Sequence, residues 1–507
     1  MSSPNGLVCF TNCLIPLEDG SLVEKDLWID ERRGVILDSQ QTFFVRRERP
    51  DRVIDLGGNI ISPGFLDIQI NGAYNFDFSV YDGHDEDYIQ GLRHVASKIV
   101  ETGVTSFLPT LITQETSLYP KLLHLLRPVS GPDAACVLGW HAEGPFLQLA
   151  KRGAHAPSFL RTAKDRIKTF EDVYGADNLA DSEDWLMSSG PNSGTLGVRV
   201  ITAAPEVDGV LDSVKDLTSR GIVYSIGHSI ATTDIATEAV RRGARLITHL
   251  FNAMPQLHHR DPSIIGLLSA SPHLSPPFSP EAAAALVSQV PHSPVSLVSP
   301  TTAQARSEAL DDIVTPPMSP VVKATRLASR VPSLQHSRQS SRPELHLEKG
   351  QVADMEFERP FYELIVDGVH SHPNSVRLAY NVYPDGCILI TDAMKILDPN
   401  LKDGVHEWRD GKRFVKEGFK LYLEGTDTLA GSVISLDACV RNFSRFTGCS
   451  LGEAIKCATF NPARCLGIEN TKGTLRPGAD ADLVVLDKQG NVQSTWVKGR
   501  QVWARAN

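Results

Sequence analysis

The chain has 507 residues, enough for one large domain with a smaller satellite. Its 41% hydrophobic and 22% charged residues are ordinary for a globular protein, so a sizeable core is expected. The formal net charge of -10 argues against a general nucleic-acid binder, which carries a basic face. It leaves room for a small anionic substrate, which needs only a few local cations.

Residues 1–20 lack the basic and apolar regions of a signal peptide, and no stretch reaches the ~18 apolar residues of a membrane span. The cysteines (Cys9, Cys13, Cys136, Cys387, Cys439, Cys449, Cys457, Cys465) are scattered and form no Cys-x-x-Cys pair. Neither a disulfide scaffold nor a zinc ribbon is indicated. A cytoplasmic protein with reduced thiols and no membrane partner is expected.

The first 60 residues read as short strands, with β-prone pieces at 7–10, 26–30 and 35–38 separated by Gly, Asp and Glu. The other end of the chain has the same character, with a strand over 481–487, a Gly490-Asn491 turn and further strand over 492–503. Residues 1–60 and 471–507 are therefore expected to assemble one small β-sandwich-like domain from both termini.

The middle follows another rhythm. Short apolar runs at 64–70, 105–112, 137–140, 198–203, 222–226, 245–248, 362–366 and 387–391 each end in a chemically useful polar residue. Amphipathic stretches such as 88–103, 210–221 and 232–243 lie between them. Strand-helix alternation repeated eight times predicts an α/β fold, a (β/α)8 TIM-type barrel over 61–268 and 359–470. Part of 405–430 is assignable to the β domain instead.

Residues 269–358 break the rhythm. They are rich in Ser and Pro, with little that could bury apolar surface, and predict a disordered insertion between the sixth and seventh strands. Short helices fit at 282–287 and 321–328. Ser275, Ser279, Ser293, Ser299, Thr315 and Ser319 each precede Pro and are candidate phosphorylation sites, an unregulated spacer being the plainer reading.

Barrel enzymes carry their chemistry at the C-terminal strand ends. Those ends supply Asp67, Gln69 and Asn71; His141 and Glu143; Glu206; His228; His249 and Asn252; Asp367 and His370; and Asp392. A lone histidine at such a place is usually a hydrogen-bonded structural group. Their joint placement has the composition of a metal site.

Ser62-Pro63-Gly64-Phe65-Leu66-Asp67 resembles the opening of the amidohydrolase barrel, where most members continue with a His-x-His pair. Here those positions are Gln69 and Asn71. With His141-Ala142-Glu143-Gly144-Pro145-Phe146, Lys151-Arg152-Gly153-Ala154-His155, Gly227-His228-Ser229 and His249-Leu250-Phe251-Asn252-Ala253-Met254, the chain resembles the N-acetylglucosamine-6-phosphate deacetylase family. Asp367-Gly368-Val369-His370, Thr391-Asp392-Ala393, Leu429-Ala430-Gly431-Ser432 and Asn461-Pro462-Ala463 extend the likeness, and 473–487 matches a general amidohydrolase tail. Only the Ser/Pro segment falls outside it.

Amides are poor ligands beside imidazole and carboxylate, so a second metal at the first strand is disfavoured. Glu143, His228 and His249 remain as a two-His-one-carboxylate set, and the resemblance assigns these same three as ligands. It implies one divalent metal ion per subunit, with zinc expected and iron, cobalt or manganese also suited to such a set. Asp392 is the candidate general base, taking a proton from water and returning it to the departing amine. A structural acid is the plainer role for Glu143 and Asp392; His141 reads as a buried hydrogen-bonded residue or one that orients a ligand, and Glu206 as an ion-pair partner or an acid that supports a neighbouring ligand.

The implied activity is metal-dependent hydrolysis of the acetamide of N-acetyl-D-glucosamine 6-phosphate. By the same resemblance Ala154, His155, Asn252, Ala253, Asp367, His370, Leu429, Ala430 and Gly431 line the sugar pocket, and Arg260 takes the phosphate. Arg260 and His370 would reach in from a neighbouring subunit, giving a homodimer with composite active sites. Two other readings stand beside it: another amidohydrolase acting on N-acyl amino acids or cyclic amides, and a catalytically silent scaffold.

Overall fold

A computed structural model describes residues 4–126, 130–131, 133–179, 197–270, 358–407, 413–426, 429 and 431–506. Eight parallel strands organise the centre: β1 (Phe65–Ile70), β2 (Val104–Ile112), β3 (Trp140–Glu143), β4 (Val198–Ala203), β5 (Val223–Ile226), β6 (Leu246–Ile247), β7 (Phe361–Ile365) and β8 (Cys387–Ile390). Each pairs with the next in parallel, from β1 through to β8. The ring closes just beyond the strand ends. Asp392 N donates to Gln69 O at 2.9 Å, and Asn71 N and Gly72 N donate to Ala393 O at 2.8 and 3.1 Å.

These strands are nearly all buried, because one face fills the barrel and the other meets helices. Alternation sorts their side chains: in β1, Asp67 and Gln69 share one face while Leu66, Ile68 and Ile70 share the other. Among the described residues, Asp85–Lys98, Tyr119–Leu125, Ile167–Tyr174, Val210–Ser219, Thr233–Arg241, Pro373–Val382 and Leu436–Thr447 supply α-helices after the first five strands and the last two, and a short 3-10 helix, Ser263–Ser269, follows the sixth. This is a TIM-type barrel.

The third barrel strand begins later than its apolar pattern implies. Cys136–Val137 pairs with β2, the chain breaks at Leu138-Gly139, and pairing resumes at Trp140–Glu143. His141 and Glu143 therefore lie within a strand, sharing a face, rather than after its end.

The two ends of the chain interleave. Arg500–Ala504, Val492–Val497, Leu483–Leu486, Ile60–Pro63, Leu14–Pro16 and Leu22–Glu24 form one sheet in that order, and Val35–Leu37, Leu27–Asp30, Leu7–Thr11 and Arg52–Asp55 form another. Val8, Phe10 and Ile29 of one share an apolar cluster with Ile61, Leu483 and Trp496 of the other. Phe10 meets Trp496 edge-on at 5.1 Å. The single strand expected over 492–503 is a hairpin, turning where Lys498 and Gly499 both take positive φ. The described residues of 405–430 join neither sheet. Gly404–Glu407, Arg413–Glu417 and Lys420–Leu423 make an antiparallel sheet of their own, whose Phe414 and Leu421 pack with Ile396 and Val433.

Nearly all of the Ser/Pro segment lies outside the described residues, including the expected helices at 282–287 and 321–328 and all six Ser/Thr-Pro sites. Its flanks are tied together: Arg359 Nη1 donates to Leu268 O at 3.0 Å.

Candidate functional site

β3, β5 and β6 bring Glu143, His228 and His249 to one point at the C-terminal mouth of the barrel. Glu143 Oε1 lies 2.9 Å from His228 Nε2 and 3.2 Å from His249 Nε2, and the two Nε2 atoms are 3.0 Å apart. All three residues are buried, at 3%, 5% and 4% exposure. Gly227 makes this packing feasible: a Cβ there would sit 2.6 Å from Thr202 Cγ2 and 2.8 Å from Thr248 Cβ.

The tautomer of His228 follows from its other nitrogen. Nδ1 is 2.7 Å from Lys151 O, and a carbonyl only accepts, so Nδ1 carries the proton and Nε2 presents a lone pair. A carboxylate oxygen and an imidazole lone pair thus converge with His249 Nε2 on one small volume. Burial opposes charge on His249, yet the Glu143 carboxylate raises its imidazole to about 9. Burial likewise opposes ionisation of Glu143, but the two imidazoles hold it well below the usual carboxylate range. These three donor atoms could hold a metal ion, and the set fits a divalent metal of the zinc class.

Backbone strain falls on the same residues. His228, His249 and Asp392 have φ of 48°, 30° and 46°, in the left-handed region that non-glycine residues seldom adopt. The 249–254 turn adds Phe251 at 76° and Ala253 at 50°.

Asp392, just past β8, faces this cluster. Burial first, then the nearby Glu143 carboxylate, pushes its carboxyl up to about 6. Gln69 Nε2 stands 3.3 Å from Glu143 Oε1 and 3.4 Å from Asp392 Oδ1, so one amide bridges the two acids. The sequence shows that Gln69 and Asn71 are not imidazoles; it does not show that they tether Asp392.

Among the expected pocket residues, His155 is buried with its ring 4.7 Å from that of His228. Thr113 N donates to His155 Nδ1 at 3.2 Å, which fixes the proton on Nε2. Burial, followed by His228, lowers its pKa to about 3, so the ring is a neutral donor. Ala154 precedes it on the same loop, and Lys151 Nζ ties that loop to Met254 O at 2.9 Å. Asn252 Nδ2 turns back to His249 O at 3.3 Å, and Ala253 O accepts from Ser229 N.

Asp367 accepts from Val369 N and His370 N, each at 2.8 Å, and its Oδ2 lies 2.6 Å from His370 Nδ1. Burial works against charge on His370, but Asp367 and then Asp392 raise its pKa. His370 is thus held by Asp367 on the loop that follows β7. Leu429 is partly exposed and bridges to Tyr422. Gly431 must be glycine, since a Cβ there would meet Met394 Cγ at 2.4 Å and its φ is 96°. Ala430 lies outside the described residues. Arg260 is exposed on its loop.

The plainer roles divide. His141 is a buried hydrogen-bonded residue as expected, with Nδ1 3.1 Å from Ile68 O and Nε2 2.6 Å from Thr202 Oγ1. Among the described residues Glu206 has no ion-pair partner: it accepts from Ser229 Oγ and Ile230 N, each at 2.7 Å, and so braces the loop carrying His228.

Residues 337–502 match the amidohydrolase family. The chain is 37% identical over 496 residues to the human N-acetylglucosamine-6-phosphate deacetylase, covering 97% of this chain and 95% of that protein. The chain belongs to the N-acetylglucosamine-6-phosphate deacetylase family. The bovine N-acetylglucosamine-6-phosphate deacetylase is 36% identical over 499 residues, covering 98% and 96% of the two chains. The same fold is found in the N-acetylglucosamine-6-phosphate deacetylase of Thermotoga maritima, with a TM-score of 0.65 at 23% identity over 98% of this chain and 100% of that one. A mutant of the Mycobacterium smegmatis enzyme, solved in complex with N-acetyl-D-glucosamine-6-phosphate, has a TM-score of 0.65 at 23% identity, covering 99% and 100%. Members of this deacetylase family thus share the barrel that here assembles the Glu143–His228–His249 cluster.

Proposed function

We propose that the chain hydrolyses the acetamide of N-acetyl-D-glucosamine 6-phosphate to D-glucosamine 6-phosphate and acetate, as a step of amino-sugar catabolism. Membership of the deacetylase family supports the substrate. The observation that carries the chemistry is the meeting of Glu143 Oε1 with His228 Nε2 and His249 Nε2, all within 3.2 Å, beside an Asp392 carboxyl aimed by Gln69 and Asn71.

Glu143, His228 and His249 would hold one divalent cation, zinc by preference. In such a set a cation supplies polarisation of the amide carbonyl and acidifies water. Asp392 takes the proton of the attacking water and delivers it to the amine nitrogen as the C–N bond breaks. Its Oδ1 is occupied by Gln69 and Asn71, so Oδ2 is the oxygen that exchanges the proton. His155 offers its Nε2 proton to the sugar. Asp367 holds His370 for a second contact, while Ala154, Asn252, Ala253, Leu429, Ala430 and Gly431 frame the ring. Arg260 suits the phosphate through its planar fork of donors. Its exposed position fits a homodimer in which Arg260 of the partner subunit completes the pocket.

Residues 1–60 and 471–507 serve as one β-sandwich-like domain beside the barrel of 61–268 and 359–470, with 269–358 inserted. No described helix is long and apolar enough to cross a membrane. With free cysteines throughout, a cytoplasmic setting suits the chain. The test is acetate release from the phosphorylated sugar and from N-acetylglucosamine itself, beside metal analysis of the protein. Strong preference for the phosphorylated sugar is expected; equal rates would overturn the assignment of substrate.

A further inference from the structure

The strand that the proposed reaction leaves least explained is β7. Its Glu363 sits in an otherwise apolar run, yet its side chain is wholly buried. Oε2 accepts from the backbone N of His249 at 3.2 Å. Oε1 is buried and has no hydrogen-bond partner among the described residues. In the residue it braces, His249 Nδ1 is likewise buried and without a partner among the described residues.

These two unpartnered groups are complementary. For His249 Nε2 to offer a lone pair, the ring proton must sit on Nδ1, which then needs an acceptor. Glu363 Oε1 is a carboxyl oxygen that needs a partner, on a group already bonded to the same residue; burial pushes that carboxyl well above the usual range, and His249 opposes the rise. His228 meets the identical requirement through Lys151 O at 2.7 Å.

We propose that Glu363 is a positioning residue for the cation ligand His249. One carboxyl oxygen fixes the His249 backbone in its left-handed conformation, and the other receives Nδ1–H when Nε2 ligates. The two imidazoles are then held by different acceptors, a backbone carbonyl for His228 and a carboxyl oxygen for His249. The carboxyl oxygen fixes the ring's orientation and tautomer. This inference rests on the cation reading given above.

The experiment compares the parent with Glu363→Gln, which keeps the volume and one acceptor but cannot serve both N–H groups. Metal-free protein is titrated with Zn2+ against a competing chelator, its melting temperature is recorded, and the Co2+ absorption spectrum is taken. The variant is expected to bind Zn2+ about 10–100-fold more weakly with an altered Co2+ spectrum, while the metal-free melting temperature holds. Equal Zn2+ affinity in both proteins would overturn the proposal, as would a variant whose metal-free stability alone has changed. Failure of the parent itself to bind Zn2+ would refute the cation reading instead. Should the variant not fold, the structure of the Zn2+-loaded parent decides: Nδ1 and Oε1 within hydrogen-bond distance support the role, and separation beyond ~3.5 Å overturns it.

Discussion

Asn71 Nδ2 donates to Asp392 Oδ1 at 2.7 Å, across the seam that joins β8 to β1. The contact aims the carboxyl by occupying one oxygen, and it does so from a position where an imidazole would bring a further metal ligand. Asn71→Leu removes the donor at similar bulk. Metal content should stay unchanged while kcat falls by about 100-fold, the usual penalty for a reacting group left loose by an ångström. Steady-state kinetics with metal analysis check this; an unchanged kcat would show that Gln69 alone suffices.

Asp392→Asn probes the proton carrier itself. The substitution touches no ligand of the Glu143 cluster, so bound metal should remain near the parent level. Turnover should drop by about 10²–10⁴-fold, the range for losing a positioned general base. Normal turnover would mean that another group moves the proton.

The barrel was legible because its strands are apolar runs of the right length, each followed by a helical period or a polar end. The clustering of Glu143, His228 and His249 was legible because the three residues lie at or beside those ends. What stayed hidden depends on pairing through space. Glu363 reads as an oddity in an apolar strand until His249 N is seen bonded to it. Thr113, which sets the tautomer of His155, has no motif at all. Gln69 and Asn71 were visible as departures from His-x-His, but their grip on Asp392 spans more than three hundred residues. The third strand escapes its apolar pattern because Leu138-Gly139 interrupts it, and patterning alone cannot register a break in hydrogen bonding.

Asp67 gives a stability prediction with a definite sign. Its carboxyl is fully buried in β1, and burial pushes it from 3.8 up to about 7 although Thr391 Oγ1 donates to it at 2.6 Å. The folded chain therefore keeps a proton that the unfolded chain has already released. The group's contribution is fully present below pH 3.8, falls by about 1.4 kcal/mol per unit as pH rises toward 7, and is flat above. Asp67→Asn cannot titrate, while other ionisable groups are shared by both proteins. Between pH 5 and pH 7 the parent should lose up to about 3 kcal/mol relative to the variant. Urea midpoints at the two pH values measure this, and parallel losses would refute it.

The contact between Arg359 and Leu268 bears on the long Ser/Pro segment. Arg359 Nη1 donates to Leu268 O at 3.0 Å and to Val382 O at 3.5 Å, while its guanidinium lies 3.9 Å over the Tyr383 ring. β7 is thus anchored beside the end of the Ser263–Ser269 turn by contacts that involve none of the residues 271–357. A linker of about six Gly and Ser residues reaches up to ~20 Å and can join Ala270 to Glu358. The shortened protein should be soluble, melt within a few degrees of the parent and keep its acetate-releasing activity. Because long surface insertions add little closure entropy, a large drop in melting temperature would mean that the segment packs against the barrel and contributes to its core.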